Sequence, residues 1–174
     1  MADAAKDAIS GEDKFKGKPI DLCTLLILYP NQMHVATVES TGIKTMQDLK
    51  GKRVSTGSPG SATEVMAFRL LEAAGLDPNK DVKRERLSVA ESVNAVKDRK
   101  IDAFFWVGGL PTAAVTDLAN SPGMKIVMVD TSAEVPAMNK KYGNLYFPST
   151  ISKQTYSGMA KDNSVAAVAN ILVV

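Results

Sequence analysis

"VSTGSPGSATEVMAFRLLEAAG", residues 54–75, carries the fold: a short apolar run ends in a Gly, Ser and Pro turn, and a long amphipathic segment follows at once. Within that segment Val65, Phe68, Leu70 or Leu71, and Ala74 fall at helical spacing, and Gly75 supplies a C-terminal stop. The stretch therefore reads strand, turn, helix. The same alternation continues to Asp130. "KRVSTG" predicts a strand, residues 61–74 a helix, "DVKRERL" a strand, residues 88–98 a helix, "IDAFFWV" a strand, residues 111–119 a helix and "MKIVMVD" a strand. Ser88 and Glu91 have capping-box spacing, Val89, Val93 and Val96 form an inward stripe, and Pro111 suits a first helical turn. This βαβαβαβ order predicts an α/β fold, a parallel-rich sheet with helices on both faces and right-handed crossovers.

Outside this unit the pattern changes. "DLCTLLILYPNQMHVATVES" is a pair of apolar runs broken at Pro30, and "GIKTMQDLKG" is a short helical turn leading into the first strand. Beyond Asp130 the regularity fades, with Pro136 and Pro148 as breakers, before "SVAAVANILVV" returns as a buried-looking strand. The chain accordingly divides into a flank at 1–41, a compact lobe at 42–130 and a second flank at 131–174.

Composition narrows the function. The 174 residues are 45% apolar and 23% charged, as in ordinary globular domains, and the net charge of +2 comes from basic residues scattered along the chain. No footprint for nucleic acid is visible. Cys23 is the only cysteine, so neither an intrachain disulfide nor a zinc cluster is expected, and it reads as a small buried hydrophobe. No apolar run has the length of a membrane span, and no direct membrane insertion is expected.

The turn itself is the first candidate site. Gly57, Ser58, Pro59, Gly60, Ser61, Ala62, Thr63 and Glu64 stand where a parallel strand gives way to a helix, the place where open α/β sheets bind ligands. Glycines admit close backbone approach, and a helix start offers unpaired N–H groups and a positive dipole end to an anion. The turn lacks the GK[ST] of a Walker loop and the spacing of a dinucleotide fingerprint. The plainer alternative is that Ser58 or Ser61 only caps the helix, with Glu64 completing a capping box. A second corner, "FFWVGGLPT", places Trp106, Gly108 and Gly109 at the same edge if the strands are parallel. There Trp106 either walls a cleft or, with Phe104, simply fills the core.

Catalytic and metal constellations are poor. His34, the only histidine, has no Ser or Cys partner near it in sequence and reads as a strand histidine. Asp102, Asp117 and Asp130 are isolated carboxylates, so neither a catalytic set nor a metal site nor a cofactor is expected. "KDVKRER" reads as a solvated strand edge, and the methionines as core filler.

"YPNQMHVATVESTGIKTMQDLKGKRVSTGSPGSATEVMAFRLLEAAGL", followed by "AESVNAVKDRKIDAFFWVGGLPTAAVTDLA", resembles the TAXI family of TRAP-transporter solute receptors over most of the chain. The resemblance implies a periplasmic-binding-protein type II fold in which two α/β lobes close on a small organic anion. Glutamate, glutamine or a related C4–C5 dicarboxylate would be the ligand, and the membrane subunits of a TRAP transporter the partner. It implies that residues 57–64 are the ligand-facing loop of the second lobe, with Tyr29 and the "VGGLP" corner lining the cleft; Trp106, where the family often has a smaller residue, is a departure expected to narrow it. It further implies a periplasmic location and a parent with an export signal. On this reading the chain is an internal piece, with an incomplete first lobe in the two flanks and crossing strands near residues 35–39 and 130–135.

A non-enzymatic receptor is thus the expected function. The alternative is a transferase or lyase on the same bilobal fold, which would need Glu64 or Asp102 buried in the cleft with a strongly shifted pKa. An effector lobe of a transcriptional regulator would need a helix-turn-helix that these residues do not supply.

Overall fold

The computed structural model describes residues 1–174. Strands β2 (Arg53–Ser55), β3 (Lys83–Glu85), β4 (Ala103–Gly108) and β5 (Ile126–Met128) alternate with helices α2 (Ala62–Ala73), α3 (Val89–Lys97) and α4 (Ala113–Ala119). Before them come α1 (Ala2–Ser10) and β1 (Thr24–Val38), and after them α5 (Val135–Tyr142), β6 (Tyr146–Ile151) and β7 (Asn163–Val173). Local chemistry fixes the helix starts. Ser61 Oγ accepts the Glu64 N–H at 3.2 Å, and Ser88 with Glu91 forms a complete capping box on α3.

One seven-stranded sheet results, in the order β3-β2-β4-β1-β7-β6, with β5 also paired to β1. β2 runs parallel to β3 and β4, whereas β1 is antiparallel to both β4 and β5. The four strands between residues 53 and 128 therefore share one direction, and a strand from the N-terminal flank is inserted between the last two. Helices cover both faces. Met66, Leu70 and Leu71 of α2 pack with Met33, Val35 and Phe105, while Val93 and Val96 of α3 and Val115 and Leu118 of α4 pack with Ala36 and Phe104 on the other side. Both flanks share this body, because Met138, Tyr146 and Val168 belong to the same core as Leu70.

Several expectations are corrected. Pro30 does not break the chain: β1 runs through it for 15 residues, with Pro30 opposite Ala169 on one side and pairing with β4 beginning only at Gln32 on the other. Its missing N–H costs nothing at an unpaired edge. The segment expected to cross between lobes, residues 35–39, starts in the middle of the sheet, with Val35 0% exposed. The part of β1 that leaves the core is residues 24–30, paired with the last residues of β7. Cys23 is exposed beside that ribbon rather than buried. The inward stripe of α2 is Met66, Ala67, Leu70 and Leu71; Leu70 and Leu71 lie in it as expected, whereas Val65, Phe68 and Ala74 are only half-buried. Pro111 precedes α4 through a cis Leu110–Pro111 peptide instead of opening the helix. Pro136 opens α5, and Pro148 lies in edge strand β6, so neither prevents regular structure. No helix is long and apolar enough to cross a membrane.

Candidate functional site

The two glycine-bearing corners follow β2 and β4, and the parallel pairing of those strands places both turns at one sheet edge. They are joined directly: the Val107 N–H donates to Thr63 Oγ1 at 3.4 Å. Gly57 makes this closeness possible. Its φ of +97° is in the left-handed region, and a Cβ there would lie 2.7 Å from Thr63 Cγ2.

The start of α2 leaves donors free. Ser61 Oγ takes the Glu64 N–H, and the Gly60 N–H donates to Glu64 Oε2 at 2.8 Å. The amides of Gly57, Ser58, Ala62 and Thr63 meet no acceptor within the chain. Ser58 and Ser61 are half-buried and Pro59, Gly60 and Ala62 are exposed, whereas Gly57 and Thr63 are buried, so the corner is open to solvent over residues 58–62 only. Free N–H groups at the positive end of a 12-residue helix favour an anion.

At the second corner the amides of Gly109 and Leu110 are likewise unengaged. The Tyr29 ring lies against Gly109, its nearest carbon 3.2 Å from where a Cβ would stand. Tyr29, Pro30, Gln32, Gly109, Leu110 and Pro111 line an open depression of about 510 Å³, a size that suits a small metabolite. Trp106 behaves differently from a free wall. Its indole Nε1–H donates to Thr112 Oγ1 at 2.9 Å and its ring occupies the space beside Gly108, where a Cβ would come within 2.8 Å of Nε1.

The structure thus brings Thr63, with Gly57 against it, to the end of β4, and Tyr29 to Gly109; Ala62 instead borders a depression shared with Asp3, Asp7 and Lys14. It turns Gly60 and Glu64 toward other partners: Gly60 O accepts from Lys14 Nζ at 2.7 Å, and Glu64 Oε1 from Arg86 Nε at 2.7 Å. Two residues without a sequence signal also reach the site. Thr112 donates its N–H to the Tyr156 hydroxyl at 2.9 Å, and that hydroxyl contacts His34; a pairing of residues 112 and 156 across the chain leaves no local pattern to read.

The carboxylates are held in their charged form. Burial acts to raise the Glu64 carboxyl, but the Gly60 N–H and the Arg86 guanidinium outweigh it and keep it below the ordinary range. Hydrogen bonds from Arg53 hold Asp102 low in the same way, with Oδ1 2.7 Å from Nη2. Asp102 precedes β4 and so stands at the opposite sheet edge from the two corners. Neither group is poised to give or take a proton at neutral pH. No group of three His, Cys, Asp or Glu is placed to hold a metal ion. A larger groove of about 620 Å³ lies behind the first corner, over α2, but its cations are already engaged, as with Arg86 on Glu64, Lys141 on Glu72 and Arg69 on Asp7.

The model of the NMT1-like family matches residues 1–174. The chain belongs to the NMT1-like family. Among solved structures, it is similar to the periplasmic aliphatic sulphonate binding protein SsuA from Escherichia coli, at 18% identity and a TM-score of 0.52 over 85% of this chain and 40% of that one. The substrate binding protein of an amino acid ABC transporter also matches, at 18% identity and a TM-score of 0.43, over 95% of this chain and 61% of that one. So does an ancestral arginine-binding protein bound to arginine, at 17% identity and a TM-score of 0.46, over 72% and 56%. The NMT1-like chain therefore spans 40% to 61% of the length of these receptors. The likeness to SsuA establishes the fold as that of a periplasmic-binding-protein type II lobe.

Proposed function

We propose that this NMT1-like chain is the ligand-holding part of an extracytoplasmic solute receptor that captures a small organic anion and hands it to a membrane transporter. The observation that carries the reading is the set of unoccupied N–H donors at Gly57, Ser58, Ala62 and Thr63, opening onto the sheet edge that also presents Gly109 and Leu110. Neutral peptide dipoles bind a carboxylate without a proton transfer, and the lowered pKa of Glu64 suits a site that does no chemistry. Following the sequence resemblance, the ligand is glutamate, glutamine or a C4–C5 dicarboxylate, the transporter is of the TRAP type and the location is periplasmic. In this scheme residues 42–130 are the core of the second lobe, and the apolar ribbon of residues 24–30 and 169–173 leads toward the first. Aliphatic sulphonates, the ligand class in the name of the E. coli relative, offer the same kind of anionic oxygens and belong in the same assay.

The decisive variant is Ala62→Pro. Ala62 is the first residue of α2, its N–H is unused, and Ser61 already has the extended backbone (φ −75°, ψ 159°) that a following proline requires. Proline there deletes one donor while preserving the helix. Isothermal titration against L-glutamate, L-glutamine, 2-oxoglutarate, succinate and ethanesulfonate should show binding of one of these that the variant weakens about tenfold or more, at unchanged thermal stability. Equal affinity in the two proteins, or no binding of any of these anions, defeats the assignment.

A further inference from the structure

We propose that Tyr156, backed by the buried His34, is the positioning residue of the second corner, fixing the direction in which the Leu110 amide faces the ligand. The proposal rests on the anion-receptor reading for what the amide binds, while the positioning itself is a matter of geometry. His34 is 0% exposed and Tyr156 1%, so every polar atom they carry needs a partner. His34 Nδ1 lies 3.0 Å from the Gln32 carbonyl oxygen, which only accepts, so Nδ1 carries the proton. In the neutral ring Nε2 is then bare, and the Tyr156 hydroxyl, 2.9 Å away, donates to it. With its proton committed, the Tyr156 oxygen turns its lone pairs to the Thr112 N–H at 2.9 Å. Each direction in the chain follows from the one before.

Thr112 passes this order to the corner. Its hydroxyl accepts from the Trp106 indole at 2.9 Å and donates to the Gly109 carbonyl at 3.0 Å. The Gly109 carbonyl and the Leu110 N–H belong to one planar trans peptide and point in opposite directions. Holding that carbonyl inward on Thr112 therefore turns the Leu110 N–H outward, beside Tyr29 and the depression it lines. Without the Tyr156 hydroxyl, Thr112 loses its backbone anchor, and both Gly109 and Trp106 lose the group that orients them.

Trp106 is the only tryptophan, so its emission reports on this corner alone. Tyr156→Phe keeps the ring and removes the hydroxyl. The expected result is a red-shifted Trp106 emission with at least twofold greater acrylamide quenching, an unchanged far-ultraviolet circular dichroism spectrum, and about tenfold weaker binding of whichever of L-glutamate, 2-oxoglutarate or ethanesulfonate the wild-type protein takes. His34→Gln, whose amide can donate to Gln32 and accept from Tyr156, should retain the wild-type signal, while His34→Leu should reproduce Tyr156→Phe. Wild-type emission and quenching in Tyr156→Phe would reduce Tyr156 to a packing residue and overturn the proposal. An altered Trp106 signal with undiminished affinity would overturn its link to the ligand. If none of these three, nor L-glutamine nor succinate, binds the wild-type protein, the receptor reading fails, and the Trp106 signals of the Phe, Gln and Leu variants still decide the positioning role. Should Tyr156→Phe not fold, the contrast between His34→Gln and His34→Leu gives the same decision.

Discussion

Gly57 and His34 show how much a single position can hold. At Gly57 a methyl group would meet Thr63 and the Glu64 N–H, the latter at 3.2 Å, on a backbone that L-residues rarely adopt. Gly57→Ala should cost about 2 kcal/mol in urea denaturation. A change below about 0.5 kcal/mol would mean the turn relaxes freely. His34 gives a pH signature. Burial pushes its pKa down to about 4, against 6.5 for the free imidazole. Above pH 6.5 the ring is neutral in both folded and unfolded chains, and its full contribution is present. Between pH 6.5 and about 4 the unfolded chain binds a proton that the native one refuses, so stability falls with acid by ~3 kcal/mol, and the loss is complete below about pH 4. Urea midpoints measured from pH 7 to 4 should show this loss in the wild-type protein and not in His34→Gln, which has no group to titrate.

Among the elements, α1 is joined to α2 by buried charge pairs added to the apolar packing of Met1, Ala2 and Ala8. Arg69 of α2 places Nη2 2.5 Å from Asp7 and Nη1 2.8 Å from the Tyr146 hydroxyl, which in turn donates to Asp3 at 3.1 Å. Asp3 and Asp7 are both buried, so Arg69→Leu would strand two carboxylates, and we expect a loss of 3–5 kcal/mol at about neutral pH, with α1 becoming accessible to trypsin at Lys6. A variant within about 1 kcal/mol of wild type would show that α1 is held by other contacts. The elements between residues 52 and 130 were legible because each carries its own punctuation: Ser61 and Ser88 as caps, Gly75 as a stop, Val93 and Val96 as a stripe. α5 hides behind Pro136, which reads as a breaker although proline is welcome in a first turn. The half-burial of Phe68 in α2 has a tertiary cause. Arg84 stacks on Phe68 with its guanidinium carbon 4.9 Å from the ring centroid, so an aromatic ring expected in the core lies in the charged groove instead.

For the whole molecule, β1 joins two regimes in one strand. Its residues from Asn31 onward are buried in the sheet, whereas Leu25 is 56% and Ile27 71% exposed in a two-stranded ribbon with β7. Such a ribbon has little stability of its own. Amide hydrogen exchange should be at least about a hundredfold slower at residues 33–37 than at residues 25–29. Uniform protection along β1 would show that something covers the ribbon in solution. Local sequence alone dictates the run of strands and helices from residue 52 to residue 130 and the glycine corner with its capped helix, because both depend on neighbours within a few positions. Long-range packing sets the rest: β1 enters the sheet antiparallel between β4 and β5, Glu64 and Gly60 turn away to Arg86 and Lys14, and Tyr156 and His34 stand behind the second corner. Those pairings join residues dozens of positions apart, and their energy comes from burial and hydrogen-bond geometry that no local spacing encodes.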